Sequence, residues 1–168
     1  MRASEILFEQ LKRFEGLSNE AYRDAAGVLT IGYGHTGPDV QEGDKITKYW
    51  AEHLLRADLY EVEQAVNALN VAVTQPQFDA LVSFAFNLGI GRLQRSTLLK
   101  TIREGGSMRD IKREFKRWVY AGERQLPGLV KRREWEANRF FDTDDLEQLM
   151  SKNRTERSFI RKNENIDL

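Results

Sequence analysis

The chain has 168 residues, 40% hydrophobic and 31% charged, with 26 basic and 26 acidic side chains and no cysteine. That is enough for one ordinary soluble domain with a sizeable core, and it excludes disulfide frameworks and thiolate chemistry. The two histidines, His35 and His53, are too few and too scattered for a zinc site, and no run approaches the ~18 apolar residues of a membrane span.

The amino terminus is interrupted by charges every few residues, so it does not read as a signal-peptide apolar region. Ser4 can cap a first helix whose apolar positions Leu7, Leu11 and Phe14 follow the helical i, i+4, i+7 spacing, with Gly16 ending it. Over residues 20–34 the pattern changes to β-branched and aromatic residues around a turn, Asp24-Ala-Ala-Gly27, which reads as a β-hairpin. Residues 36–46 read as a loop. Thr47 then caps a long helix over 48–69, whose stripe of Ala51, Leu54, Leu55, Leu59, Val62, Ala65, Val66 and Leu69 marks a core face. At some twenty residues it spans ~30 Å, enough to join two lobes. Thr74-Gln-Pro-Gln77 has capping-box spacing with proline in the first turn, and it opens a helix carrying Phe78, Leu81, Val82, Ala85 and Phe86 that Gly89 can stop. Further helices are predicted at 97–104, at 108–118 after Ser107, and at 129–141 after Pro127-Gly128. The main domain is thus expected over residues 1–141. Residues 142–168 read as a charged extension, with one short helix from Thr143 through Met150 and then a flexible or loosely docked tail.

Overall neutrality conceals an asymmetry. Residues 1–91 carry 7 basic and 13 acidic side chains, residues 92–141 carry 14 and 6, and the last 27 residues carry 5 and 7. A basic half suits an anionic polymer, whether a bacterial wall or a nucleic acid, and equally suits a set of solvated helical faces. No nucleic-acid recognition motif accompanies it, so no nucleic-acid partner is expected.

The chemistry-bearing stretch is Glu15 to Thr36. Glu15 falls where a helix meets the hairpin, beside Phe14, and Asp24 falls in a more solvated turn. Two carboxyls in contrasting environments are what an acid and base pair requires. Thr30, six residues on in the returning strand, can face Asp24 and share a water with it. Glycosidic bonds hydrolysed by two carboxylates need one such group to protonate the leaving oxygen while the other handles water or the anomeric carbon. Each residue also has a plainer reading: a surface glutamate, a turn-forming aspartate, a threonine that suits a strand.

The full pattern, E-G-x4-A-Y-x-D-x2-G-x2-T-I-G-Y-G-H-T from Glu15 to Thr36, resembles the bacteriophage lysozymes, the phage endolysin or muramidase family of glycoside hydrolases. A second similar block comprises Gln77 to Gly89, Trp118-Val-Tyr-Ala-Gly122, and Gly128-Leu-Val-Lys-Arg-Arg133-x2-Glu136. Together they cover roughly residues 4–141. The resemblance implies an α+β lysozyme-like fold, with a small hairpin lobe and a larger helical lobe joined by the 48–69 helix and an active-site cleft between them. It implies Glu15 as general acid, Asp24 as the carboxylate that positions or activates water, and Thr30 as a further holder of that water. The family's usual inversion corresponds to carboxyls ~6.5–9.5 Å apart, against ~5–5.5 Å for a retaining pair.

Weaker expectations attach to Gly32 and Gly34 (close approach of a sugar), to Tyr33, Trp118 and Tyr120 (stacking on sugar faces), and to His35, which can support Glu15 or be structural. Arg132 or Arg133 can reach Glu15 from the opposite lobe. The implied substrate is peptidoglycan, cut between N-acetylmuramic acid and N-acetylglucosamine, with no metal or organic cofactor. A lytic transglycosylase and a non-catalytic wall-binding module are the alternatives. The expected setting is a monomer made in the host cytoplasm that reaches the wall after a separate pore-forming holin opens the membrane.

Overall fold

The computed structural model of this chain describes residues 1–143; the short helix and tail expected beyond Thr143 lie outside them. Helix α1 (Glu5–Glu15) begins at Ser4, whose Oγ accepts the Leu7 N–H, and ends at Gly16, whose positive φ of 70° lets the chain turn toward the sheet. A three-stranded antiparallel sheet follows, β1 (Ser18–Arg23), β2 (Leu29–Gly32) and β3 (His35–Thr36), in spatial order β1-β2-β3. The third strand was not expected. It is two residues long, too short to carry an alternation signal.

Helix α2 (Lys48–Asn67) starts at Thr47 as the sequence indicates and ends two residues short of the predicted 69. Its buried residues Ala51, Leu55, Leu59 and Val66 follow the predicted stripe, joined by Glu63, which is buried too. The small sheet packs on its first turns. A Cβ on Gly32 would stand 3.2 Å from Ala51 Cβ, so glycine there permits the sheet to lie directly on the helix.

Helix α3 (Gln75–Leu88) is the centre of the larger lobe, with every residue from Phe78 to Ala85 buried. It packs against α1, α2, α4 (Ile90–Gln94) and α7 (Pro127–Arg139), so its middle is buried around the whole circumference rather than along one stripe. Helices α5 (Thr97–Arg103) and α6 (Met108–Lys116) complete the lobe, and a second hairpin, β4 (Tyr120–Ala121) and β5 (Arg124–Gln125), links α6 to α7. The core joins Leu7, Phe8 and Leu11 of α1 to Phe78, Leu81 and Phe84 of α3 and Phe115 of α6. The fold is α+β, with a small sheet lobe and a helical lobe joined by α2. No helix among the described residues is long and apolar enough to cross a membrane.

Candidate active site

Glu15 is the last residue of α1, so its carboxyl projects from a helix end at the junction of the two lobes. Arg132 of α7 donates from Nη1 to Glu15 Oε1 at 2.7 Å. The other oxygen, Oε2, looks toward Gly34, where an added Cβ would meet it at 3.6 Å. Gly34 has φ +86°, a region costly for other residues. One oxygen of Glu15 is therefore anchored, and the second is turned toward the sheet lobe.

Arg132 is itself buried (4% exposed) and over-determined. Its Nη2 donates to the Ser83 carbonyl at 3.1 Å, its guanidinium lies 5.0 Å from the Phe14 ring centre, and its Nε is 3.5 Å from Glu136 Oε1. Of the two arginines the sequence offers, Arg132 reaches Glu15. Arg133 turns inward instead, ion-pairing with Glu136 at 3.0 Å and donating to Asn87 Oδ1 at 2.9 Å. Successive helical residues point about 100° apart, which separates the two roles. Burial lowers the Arg133 pKa to about 10 despite Glu136, and raises that of Glu136 to about 7 against the pull of Arg133 and Arg132.

Asp24 sits at the tip of the β1–β2 hairpin. Its Oδ1 accepts the Ala26 and Val28 N–H groups at 2.9 and 2.8 Å, which closes the turn. Its Oδ2 has no hydrogen-bond partner among the described residues. The register pairs Thr30 with Tyr22 rather than with Asp24. Continued one residue past the end of β1, that register sets Asp24 opposite Val28 and diagonal to Thr30. Thr30 is 4% exposed, and its hydroxyl donates to the Val28 carbonyl at 3.0 Å. That leaves Oγ1 free to accept.

The other candidates divide. Gly32 stands against Ala51 of α2, and the Tyr33 side chain is 5% exposed within the hydrophobic core. Trp118 is half-buried, edge-on to Phe84 at 5.4 Å, while Tyr120 is exposed on β4. A cavity of about 750 Å³ opens beside Glu15 between α1 and the start of α7, lined by Phe14, Asn87, Leu129, Arg132 and Trp135 among others. Asp24 and Thr30 do not line it. Sequence reasoning missed Ser83 and Asn87 as site residues, although both fall in the Gln77–Gly89 block at i, i+4 spacing on α3.

His35 does not contact Glu15 in this structure. Its Nδ1 lies 2.9 Å from both Asp58 carboxylate oxygens and its Nε2 3.1 Å from Asp39, tying β3 to α2 and to the loop after it. With a carboxylate on each nitrogen, the doubly protonated ring satisfies both contacts. Burial alone would lower the His35 pKa, but Asp58 and Asp39 together outweigh it and hold the pKa above its usual 6.5. A raised folded-state pKa gives stability that is full below 6.5 and is lost as pH rises through the folded value. The wild type is therefore expected to lose thermal stability across that window relative to His35→Gln. Parallel melting curves of the two proteins check this, and a difference that grows with rising pH would contradict it.

A model of the phage lysozyme family matches residues 12–136. The endolysin of Bacillus phage B103 is 44% identical over 143 residues, 83% of this chain and 54% of that protein. The chain spans about half the length of the Bacillus phage relatives it matches. Among solved structures, the muramidase domain of SpmX from Asticaccaulis excentricus aligns with TM-score 0.77 at 37% identity, covering 84% of this chain and 98% of that one. An endolysin from Escherichia coli O157:H7 phage FAHEc1 gives TM-score 0.76 at 38% identity, covering 85% and 95%. The matched span contains both the Glu15–Thr36 motif and Arg132, which reaches Glu15 from α7, and the chain belongs to the phage lysozyme family.

Proposed function

We propose that this chain is an endolysin-type muramidase that hydrolyses the β-1,4 bond between N-acetylmuramic acid and N-acetylglucosamine in peptidoglycan, with inversion. The observation that carries the reading is the contrast between its two carboxylates. Glu15 is anchored through one oxygen by a buried arginine, and Asp24, at the tip of the hairpin that carries Thr30, keeps one oxygen unpartnered. The relatives named for endolysin and muramidase activity support the substrate class.

In this reading Glu15 Oε2 carries the proton that passes to the glycosidic oxygen as the bond to the anomeric carbon breaks. The Thr30 proton is engaged by Val28, so toward water Thr30 offers only a lone pair. A water that donates one hydrogen to Thr30 Oγ1 and the other to Asp24 Oδ2 presents its own lone pair to the anomeric carbon. Asp24 takes a proton from it as the new C–O bond forms, so the proton given up by Glu15 is matched by the one gained at Asp24. None of these steps calls for a metal or organic cofactor. The protein acts as a monomer on the wall, reaching it from the host cytoplasm once a separate holin has opened the membrane.

Digestion of purified peptidoglycan, with the anomeric configuration of fresh reducing ends followed by NMR, tests the mechanism. The first-formed muramic acid ends are expected in the α configuration. Initial β ends would indicate retention, and 1,6-anhydro ends would replace hydrolysis by transglycosylation.

A further inference from the structure

The catalytic reading uses Glu15, Asp24, Thr30 and Arg132, and it leaves Glu136 without a role although the sequence motif ends on it. Glu136 is completely buried, as is Arg133 beside it, and Arg132 nearly so. Its Oε1 accepts from Ser83 Oγ at 2.8 Å and from Arg133 Nη2 at 3.0 Å, and lies 3.5 Å from Arg132 Nε. Two guanidinium groups and two carboxylates thus meet at one place: Arg132 and Arg133 against Glu15 and Glu136.

That balance cannot persist through a reaction in which Glu15 gives up and regains a proton. Whenever Glu15 is neutral, Arg132 faces a neutral partner across 2.7 Å. The remaining negative charge within reach is Glu136. A buried guanidinium left without an anion is costly, and it would relax by moving away from Glu15 or by admitting water. Ser83 supports Glu136 from the other side. Its hydroxyl donates to Glu136 while its carbonyl accepts from Arg132, so one residue of α3 fixes both members of the pair.

We infer that Glu136 is a positioning residue for the hydrolytic reaction: as an ionised counter-charge held by Ser83, it keeps Arg132, and through Arg132 the Glu15 carboxyl, in one geometry whether or not Glu15 is protonated. This rests on the muramidase reading above. The groups facing Glu136 are Arg132 and Arg133 from its own helix and the Ser83 hydroxyl from α3; Glu15 reaches it only through Arg132. Burial brings Glu136 into the neutral range, at about 7. Loss of its charge therefore falls within a measurable pH interval.

The test compares wild type, Glu136→Gln, Glu136→Asp and Ser83→Ala on purified peptidoglycan or a soluble glycan fragment, with circular dichroism to confirm folding. Glu136→Gln is expected to lower kcat by about tenfold or more with KM little changed, since misorientation of a reacting group is felt in the chemical step. The wild-type pH–rate profile is expected to carry a limb near pH 7 from Glu136, and the Glu136→Gln profile to lack it. Glu136→Asp should recover part of the rate, and Ser83→Ala should move kcat the same way by a smaller factor. A folded Glu136→Gln with wild-type kcat and an unchanged pH profile overturns the proposal. If Glu136→Gln does not fold, an unaltered kcat and profile in Ser83→Ala does so. A wild type that leaves the glycan intact sinks the muramidase reading instead, so the two failures are distinguishable.

Discussion

Glu15→Gln is expected to slow the clearing of peptidoglycan by roughly 10²–10⁴-fold, the range over which a positioned general acid contributes, while leaving the fold and wall binding in place. The amide is the same shape as the carboxyl and keeps an oxygen to accept from Arg132 Nη1, now 2.7 Å from Glu15 Oε1. Toward the sheet lobe it presents an NH₂ group, which can donate a hydrogen bond but is far too weak an acid to transfer a proton to a glycosidic oxygen. Arg132 loses an anion at this position but retains Glu136 and the Ser83 carbonyl. The expected phenotype is accordingly a folded protein that sediments with peptidoglycan without dissolving it. Turbidity and co-sedimentation measured on the same preparations check this. Clearing at the wild-type rate would remove Glu15 from the role of acid, and loss of sedimentation would mean that the carboxyl serves binding rather than proton transfer.

The legible parts of this chain were those whose chemistry is local. Ser4, Thr47 and Gly89 announce helix boundaries because capping is settled within four residues, and each bounds a helix in the structure. Asp24 and Gly27 marked the hairpin turn for the same reason. Elements of two to five residues, β3, α4 and the β4–β5 hairpin, are not legible because they are too short for a hydrophobic pattern to repeat. Tyr33 can stack on a sugar or enter the core on sequence grounds, because a residue in a tight turn carries no periodicity to say which side it faces. At the site, the Glu15–Arg132 pair joins residues 117 apart. The sequence supplied Arg132 and Arg133 as equals, and only the rotation of α7 against α1 and α3 separates them. Ser83 and Glu136 were harder still, since a polar residue in a helix is ordinarily a sign of its solvent face. On α3 that inference fails. Asp79 and Ser83 lie on the enclosed middle of the helix and Asn87 follows one turn on at its exposed end, and this i, i+4, i+8 row meets Arg132, Arg133, Glu136 and Arg139 of α7.

The same row supplies the largest expected effect on stability. Asp79 is fully buried and collects donors from three elements: the Ser4 N–H at 3.0 Å and Ser4 Oγ at 2.5 Å, Gln75 Nε2 at 3.0 Å, and Arg139 Nη2 at 2.9 Å. It fastens the start of α1 and the end of α7 to α3, one turn from the Ser83 that holds Arg132. Asp79→Ala removes the carboxylate inside the core while the guanidinium of Arg139, 3% exposed in its side chain, stays there. Removing one partner of a buried ion pair costs about 3–5 kcal/mol, because the other charge remains desolvated. That is a large share of the ~5–15 kcal/mol by which such domains are stable. For a chain of this size it corresponds to a fall in Tm of roughly 10 °C. Arg139 keeps its contact with Asp142 at 3.0 Å, which places the expectation nearer the lower end of the range. Calorimetry of both proteins measures the shift, and activity per folded molecule below the transition should stay close to wild type, since Glu15, Asp24 and Thr30 lose no contact. A variant that melted normally would show that the α1–α3–α7 junction is held by its apolar contacts alone, and that the buried carboxylate contributes nothing net to the folded state.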